Sequence, residues 1–385
     1  MIGNSSKSFN AFIPFSIQLL TVASTFTLQL LFLYFMESET ELDRQFLQLS
    51  VPFFMFGLTG VTLREDLFSS LKKSDMNEIP LSGNIIQIIT INTLLVFVLM
   101  MLQVGDFYIA ILGVFFFISM CAISIYSVHI KSVYGDIYPL FLTFIGTFLV
   151  ISIFLISIVF EREIIFLEFY AQAYCVIFLS LVIIFGYPRR LISNSTINFK
   201  NLYHNFVFVV PPVVEGFLIS FLNPSEYYHL SFVHRIFTTL TGIGVIYVFF
   251  YLEKIHSYKD KFIENMSLIA VGLIFISLAI HLCILYTHFF DRIFETFNLE
   301  KMLILKISSF FSVAYIFNFL FYVMLRISKG NQFKNKLLLS LIVIFLALNS
   351  FGIIFFDNII YYAISFSLSW LIFFSASLIE FRAKG

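Results

Sequence analysis

Long apolar runs, separated by short polar segments, follow one another along the whole chain. A membrane-spanning helix needs about 20 predominantly apolar residues, and twelve runs approach or exceed that length. They lie near residues 11–36, 45–63, 82–104, 107–129, 137–160, 164–186, 202–222, 227–252, 266–290, 302–327, 337–356 and 359–379. The run at 45–63 is the weakest, because charged residues crowd both of its ends. The pattern predicts an all-α integral membrane protein with about 12 transmembrane helices.

Lysine and arginine are abundant in every second connection between these runs. With the N-terminus inside, the cytoplasmic segments hold 17 of the 23 Lys and Arg residues, the outer segments hold four, and two lie within spans. An excess of Lys and Arg in cytoplasmic loops is the usual signal of orientation in a membrane. We therefore expect both termini to be cytoplasmic and the number of spans to be even.

The two longest connections, 64–81 and 187–201, are both on the predicted cytoplasmic side. The second follows the sixth span and divides the chain into halves of similar length. We expect an N-terminal six-helix bundle at 1–190, a cytoplasmic linker at 191–201 and a C-terminal six-helix bundle at 202–385. Two bundles of equal size are typical of transporters.

Composition excludes a soluble domain, because 60% of the residues are hydrophobic and only 12% are charged. Soluble domains are nearer 45–50% apolar and about 25% charged. A net charge of zero gives no attraction to nucleic acid, and the three cysteines lie far apart in apolar runs, so we expect neither a disulfide framework nor a metal site. No cofactor is expected.

An enzyme is the less favoured class, because the outer connections are short and the chain has none of the common catalytic motifs. A membrane-embedded glycan polymerase or acyltransferase would need a cluster of arginine, histidine or carboxylate side chains near the outer surface. The only plausible members of such a cluster are His281, His288 and Arg292. We interpret the two histidines as interfacial residues rather than metal ligands.

Ionisable side chains at membrane depth are the main candidates for a functional site, because they are costly there and usually face protein or water. Glu215, Arg235 and Lys306 lie at similar depths in the outer half of the predicted C-terminal bundle, and His234 precedes Arg235. In one interpretation Glu215 and Arg235 form a structural pair and Lys306 extends to the outer headgroups. In the other, a hydrated cavity uses these cations to attract a diphosphate, whose oxygens match the arginine fork.

Adjacent prolines at 211 and 212 interrupt the same span as Glu215. Proline removes a backbone donor and bends or breaks a helix. Pro211 and Pro212 are therefore candidate hinges for a change between inward and outward states, although prolines are also simply commoner in membrane helices.

Two segments resemble the multidrug/oligosaccharidyl-lipid/polysaccharide (MOP) exporter superfamily, in particular its polysaccharide flippases of O-antigen type and its lipid II flippases. Residues 47–70, QLSVPFFMFGLTGVTLREDLFSSL, are similar to a span of that family that ends in glycine, a small residue and a basic position. Residues 218–252 contain a short outer turn followed by a Tyr/His-x-Arg-Ile type element and a glycine-containing continuation. The resemblance implies that Arg235 lines a cationic cavity and that Arg64 occupies a commonly basic position.

The resulting hypothesis is a flippase of the bacterial cytoplasmic (inner) membrane that moves polyprenyl-diphosphate-linked oligosaccharide for surface polysaccharide biosynthesis. Arg235, Lys306 and Arg64 would bind the substrate, and Glu215 and His234 would tune the cavity or couple it to a proton or sodium gradient. Membrane lipid, the lipid-linked glycan and a polymerase of the same pathway are the expected partners. A multidrug or cation antiporter of the same fold is the alternative, beside the polymerase or acyltransferase.

Overall fold

The computed structural model describes residues 5–35, 41, 44–46, 48–53, 55–57, 59, 80–134, 137–186, 190–192, 229–230, 232–234, 236–237, 262–296, 299–327, 335–356 and 358–384. In the first half of the chain the elements are α1 (Ser5–Phe35), β1 (Pro80–Ser82), α2 (Gly83–Val104), α3 (Phe107–Tyr134), α4 (Ile137–Val159), α5 (Phe166–Phe185) and β2 (Arg190–Ile192). In the second half they are α6 (Phe262–Tyr286), α7 (His288–Thr296), α8 (Lys301–Ile327), α9 (Asn335–Phe356) and α10 (Ile359–Lys384). The described residues between 41 and 59, and between 229 and 237, are helical as well.

Within this described part, seven helices are long and apolar enough to cross a membrane. They cover Ile85–Val104, Phe107–Lys131, Tyr138–Val159, Phe166–Phe185, Ile269–Tyr286, Lys301–Phe321 and Ile359–Ile379. The nearly all-helical architecture and the multi-pass membrane character are therefore confirmed. The total of twelve spans and the side on which each terminus lies stay predictions.

A two-residue turn joins α2 to α3. Gly105 adopts a positive φ of 71°, a conformation that side chains disfavour, and its amide closes the last turn of α2 on the Met101 carbonyl at 3.0 Å. The Asp106 carboxylate then accepts from the backbone N–H of Tyr108 at 2.8 Å and of Ile109 at 3.3 Å. This N-cap starts α3 immediately, which explains why the sequence leaves almost no loop here.

The chain divides into two compact units. The first comprises Met1–Leu28 with Glu41–Gly216, and the second comprises Gln29–Thr40 with Phe217–Gly385. The predicted boundary at 191–201 stays a prediction, and most of that linker lies outside the described residues.

In the first unit, α3 packs against α2, α4 and α5. The helical residues at 41–59 also pack on this group, since Phe53 contacts the Phe116 ring of α3 at 5.1 Å and the Tyr170 ring of α5 at 5.7 Å. The buried Gln45 side chain accepts from the backbone N–H of Phe166 at the start of α5, at 3.0 Å. The described residues of the weakest predicted span are therefore part of this core.

Two short strands were not predicted from the sequence. β1 and β2 pair in parallel, and the register joins Pro80 to Arg190, Leu81 to Leu191 and Ser82 to Ile192. Because they lie in the two longest predicted connections, this pairing joins both ends of the α2–α5 group.

In the second unit, α10 packs against α8 and α9, and α8 also packs against α6. Aromatic rings fill the space between them: Phe311 of α8 stacks on Phe366 of α10 at 5.0 Å, and Trp370 lies 5.9 Å from Phe345 of α9. Burying side chains of this size supplies most of the packing energy available to such a core. The fully buried Asn349 amide donates to the Ser369 hydroxyl at 3.2 Å and fixes α9 against α10.

The predicted run at 266–290 is not one helix. Helix α6 ends at Tyr286, and the Thr287 hydroxyl donates to the Cys283 carbonyl at 2.6 Å. The backbone N–H of Phe290 donates to the Thr287 carbonyl at 3.2 Å. The short helix α7 follows, with Phe294 buried and Arg292 exposed. The apolar residues of α7 extended the predicted span beyond the end of α6. In the structure α7 is instead an amphipathic helix, with apolar residues on one face and polar residues on the other.

Candidate functional site

Of the predicted site residues, His234 and Lys306 lie within the described part of the chain. Arg64, Pro211, Pro212, Glu215 and Arg235 lie outside the described residues. The roles assigned to all seven therefore stay predictions, and what the structure adds is the surroundings of His234 and Lys306.

Helix α8 carries several polar side chains of the second unit. Ser308, Ser312 and Tyr315 are buried and are spaced at i, i+4 and i+7, so they lie along one face of the helix. Lys306 belongs to a different, exposed face, which it shares with Ser309 and Val313. The same helix thus carries a buried polar stripe and an exposed cation.

His234 is held against the buried stripe. Its Nδ1 shares a hydrogen bond of 2.6 Å with the Tyr315 hydroxyl, and its ring meets the Phe311 ring edge-on at 6.4 Å. Phe237, one turn further along the same segment, stacks on Tyr315 with an interplanar angle of 13°. These contacts fix the orientation of the half-buried His234 ring.

His229 fixes the start of α8. Its Nε2 accepts from the backbone N–H of Glu300 at 3.0 Å, so Nε2 carries no hydrogen and Nδ1 carries one in this arrangement. Phe232, also buried, contacts Phe294 of α7 edge-on at 6.2 Å. The 229–237 segment is therefore positioned by both α7 and α8.

His281 of α6 faces the same helix from another direction. Its Nδ1 lies 2.7 Å from the Ser277 carbonyl oxygen, and its Nε2 lies 3.0 Å from the Ser308 hydroxyl and 3.4 Å from the Ser309 hydroxyl. Both serine hydroxyls also reach the Leu305 carbonyl, at 3.0 and 2.8 Å. The imidazole therefore links α6 to α8 through hydrogen bonds.

Lys306 lies five residues into α8, about 7.5 Å along the helix axis from its first residue. Its side chain is exposed. A cation at that depth faces water, headgroups or protein rather than hydrocarbon, and its long stem allows the ammonium to reach several ångströms from the backbone. Both interpretations of Lys306 remain compatible with this position.

An open cavity of about 760 Å³ lies at the same end of α8. Its lining comprises His288, Asp291, Arg292, Phe294, Glu295, Leu299, Glu300 and Lys301. The Lys301 ammonium donates to the Asp291 carboxylate and to the Leu285 carbonyl, so this cation is largely neutralised. Among the described residues no group of three His, Cys, Asp or Glu side chains is placed to hold a metal ion.

Sequence reasoning identified His234 but not its partner Tyr315, and it did not link His281 to Ser308. Tyr315 and Ser308 belong to an apolar run, and only their spacing along a helix shows that they share a face. His229 and Glu300 are 71 positions apart, so no local signal could have linked them. His281 and His288, which the sequence places seven residues apart, belong to different helices.

Comparison with solved structures identifies the fold. The lipid II flippase MurJ in an inward closed conformation matches with a TM-score of 0.70 at 15% identity, covering 98% of this chain and 87% of that one. An outward-facing multidrug resistance MATE family transporter of the MOP superfamily gives 0.57 at 10% identity, covering 97% and 96%. The Vibrio cholerae MATE transporter VcmN in its bent form gives 0.56 at 12% identity, covering 99% of both chains.

No family model matches the chain, and no curated protein matches its sequence. The fold is nevertheless similar to that of these solved structures over nearly the full length of the chain. The expected resemblance to that superfamily is confirmed at the level of the fold.

Proposed function

We propose that the chain is a flippase that moves polyprenyl-diphosphate-linked oligosaccharide from the cytoplasmic to the outer leaflet of the bacterial inner membrane. The observation that carries this proposal is the similarity of fold to the lipid II flippase MurJ across 98% of the chain, at a TM-score of 0.70. The similarity to the two MATE transporters is lower, at 0.57 and 0.56. The solved structures with this fold are a flippase and transporters, which also supports transport over catalysis.

The physical task of such a protein follows from its substrate. A charged sugar diphosphate cannot cross hydrocarbon unaided, because the desolvation of its charges is prohibitive, whereas its lipid tail can stay in the bilayer. The protein therefore has to offer a polar cavity that opens to alternate sides of the membrane, in two states whose populations the substrate shifts.

Cations in that cavity would hold the diphosphate. We assign this role to Arg235, Lys306 and Arg64, and we assign a tuning or coupling role to Glu215 and His234. The exposed position of Lys306 on α8 and the fixed orientation of His234 against Tyr315 support these assignments. Pro211 and Pro212 would allow the bend that a change between the two states requires.

Deletion of the gene tests the proposal most directly. A flippase deletion should leave lipid-linked units accumulated in the cytoplasm-facing leaflet and remove glycan from the cell surface, whereas loss of a polymerase would leave single units on the outer side. A deletion strain with normal surface glycan and no accumulated lipid-linked units would contradict the proposal.

Variants of Arg235 test the site within the same strain. Removing a hydrogen bond to a charged group costs about 1.5–3 kcal/mol, so Arg235→Ala should lower surface glycan by roughly 10–100-fold at matched protein level, and Arg235→Lys by less. Arg292→Ala removes an exposed arginine from α7 and is the matched control. Unchanged glycan in both Arg235 variants would remove this residue from the mechanism.

The second candidate is a multidrug or cation antiporter. The observation that favours it is the similarity of fold to the MATE family transporter, which covers 97% of this chain. An antiporter deletion should sensitise cells to cationic drugs and leave surface glycan unchanged. The same deletion strain therefore separates the two candidates.

A further inference from the structure

We propose that His281 is a proton-binding site in the second unit, and that its protonation is coupled to charge at Lys306. This inference rests on the proposed flippase function for its role in transport, although the proton site itself can be tested without it. The hydrogen bonds around the imidazole carry the argument.

The orientation of the His281 ring is fixed by an acceptor that has no hydrogen to give. The Ser277 carbonyl lies 2.7 Å from Nδ1, and a carbonyl oxygen can only accept. Nδ1 therefore carries a hydrogen in every protonation state that keeps this contact. Only Nε2, which faces Ser308 and Ser309, is free to gain or lose a proton.

In the neutral state the Ser308 hydroxyl, at 3.0 Å, donates to the Nε2 lone pair. Ser309 then donates to the Leu305 carbonyl at 2.8 Å, so each of these polar groups has a partner. The ring is satisfied as a neutral Nδ1–H tautomer.

In the protonated state the Nε2–H donates to the Ser308 oxygen instead. The Ser308 hydroxyl hydrogen turns to the Leu305 carbonyl, which lies 3.0 Å away and accepts from both serines through its two lone pairs. Gaining a proton therefore requires one hydroxyl rotation and no movement of heavy atoms. A half-buried site that is fully hydrogen-bonded in both charge states avoids the usual cost of burying an unpaired polar group.

The position of His281 suits exchange with the outer side. It lies five residues before the end of α6, about 7.5 Å along the axis, which is the same distance that separates Lys306 from the start of α8. Ser308 is buried, whereas Ser309 is exposed and stands one helical turn after Lys306. The exposed face of α8 thus reaches from the imidazole to the lysine.

Charges on the helices packed against α6 decide what the proton responds to. Near this end they are Lys301 and Lys306 on α8, Glu300 just before it, and His288, Asp291, Arg292 and Glu295 on α7. Lys301 is paired with Asp291, whereas no described residue pairs with Lys306. Lys306 stands one helical turn before Ser309, whose hydroxyl lies 3.4 Å from the imidazole, so the lysine charge opposes a second positive charge on the ring. An anionic diphosphate bound at Lys306 would therefore favour the imidazolium, and by linkage the proton would favour binding of the diphosphate.

Nitrogen NMR on the full-length protein tests the proton site directly. The purified chain, labelled with ¹⁵N-histidine, is placed in nanodiscs of phosphatidylethanolamine and phosphatidylglycerol, and the His281 signal is assigned by its loss in His281→Gln. We expect the Nδ1–H tautomer while the ring is neutral, because the Ser277 carbonyl accepts from Nδ1, and hydrogens on both nitrogens once acid buffer protonates it. An Nε2–H tautomer, or a signal that is the same in basic and in acid buffer, would overturn the proposal.

A cell assay tests the coupling. The deletion strain is complemented with the wild type, with His281→Gln or with the control His288→Gln, whose histidine is exposed on α7, at matched protein level. One coupled proton allows up to about a tenfold effect per pH unit, so the wild type and the control should change surface glycan between outer pH of about 6 and about 8. In His281→Gln the ratio should fall to about one.

The outcomes separate the two proposals. If the pH ratio survives in His281→Gln, the coupling role is wrong even where deletion shows that the chain is a flippase. If deletion leaves surface glycan intact, the flippase proposal fails, and the NMR result still decides whether His281 binds a proton as described.

Discussion

Replacing Gln45 with leucine removes the side-chain oxygen that accepts a hydrogen bond from the first residue of α5. Gln45 is distant from that helix in sequence. The residue before α5, Ile165, makes no side-chain cap, and the Gln45 Oε1 accepts from the Phe166 N–H at 3.0 Å instead. Gln45 is only 4% exposed, so water cannot take its place. Leaving this buried donor without a partner should cost about 1–3 kcal/mol.

The matched control is Gln172→Leu. Gln172 makes an exposed hydrogen bond to Glu168, one turn away on the same helix, at 2.8 Å. Such pairs contribute about 0.2–0.5 kcal/mol, so the same chemical change should have a much smaller effect there. The difference between the two variants isolates the contribution of burial and of the long-range contact.

A thiol-reactive dye can report on the first unit alone. Cys121 of α3 is 1% exposed, and changing Cys175 and Cys283 to serine leaves it as the single thiol of the chain. In this background, Gln45→Leu should lower the midpoint of thermal unfolding by roughly 2–12 °C. A shift no larger than that of Gln172→Leu would refute the claim that Gln45 caps α5.

Two further predictions concern the second unit and use the fluorescence of Trp370, the single tryptophan of the chain, to follow thermal unfolding. A Cβ at Gly352 would lie 2.5 Å from the Ser365 Oγ, so Gly352→Ala should destabilise by about 1–3 kcal/mol; adding Ser365→Ala should recover part of the loss, and equal losses in both would show that the hydroxyl is not the obstacle. Tyr315→Phe keeps the ring packing and removes the 2.6 Å hydrogen bond to His234, which should cost about 0.5–1.5 kcal/mol; an unchanged midpoint would mean that this bond contributes nothing to stability.

The helices were the predictable part of this fold. In lipid every backbone polar group must be paired within its own segment, so an apolar run of sufficient length has to be helical. The runs at 82–104, 107–129 and 137–160 accordingly coincide with α2, α3 and α4 to within a few residues. The turn at Asp106 was also visible, because glycine and an acidic residue stand between two apolar runs.

The site was less predictable, because its contacts join residues that are far apart in sequence. The Tyr315–His234 bond spans 81 positions and the Ser308–His281 bond spans 27. A histidine in an apolar run looks the same in sequence whatever its ring contacts. Only the packing of α6 on α8 shows that His281 reaches the hydroxyls of Ser308 and Ser309.

The parallel pairing of β1 and β2 constrains how the chain is threaded through the bilayer. Two strands that share backbone hydrogen bonds must emerge on the same side of the membrane, so the polypeptide between Ser82 and Arg190 makes an even number of crossings. Four helices, α2 to α5, account for that stretch, and the parity agrees with the orientation derived from lysine and arginine. Since β2 follows all four helices in the chain, the two strands can pair only after the whole group has been synthesised.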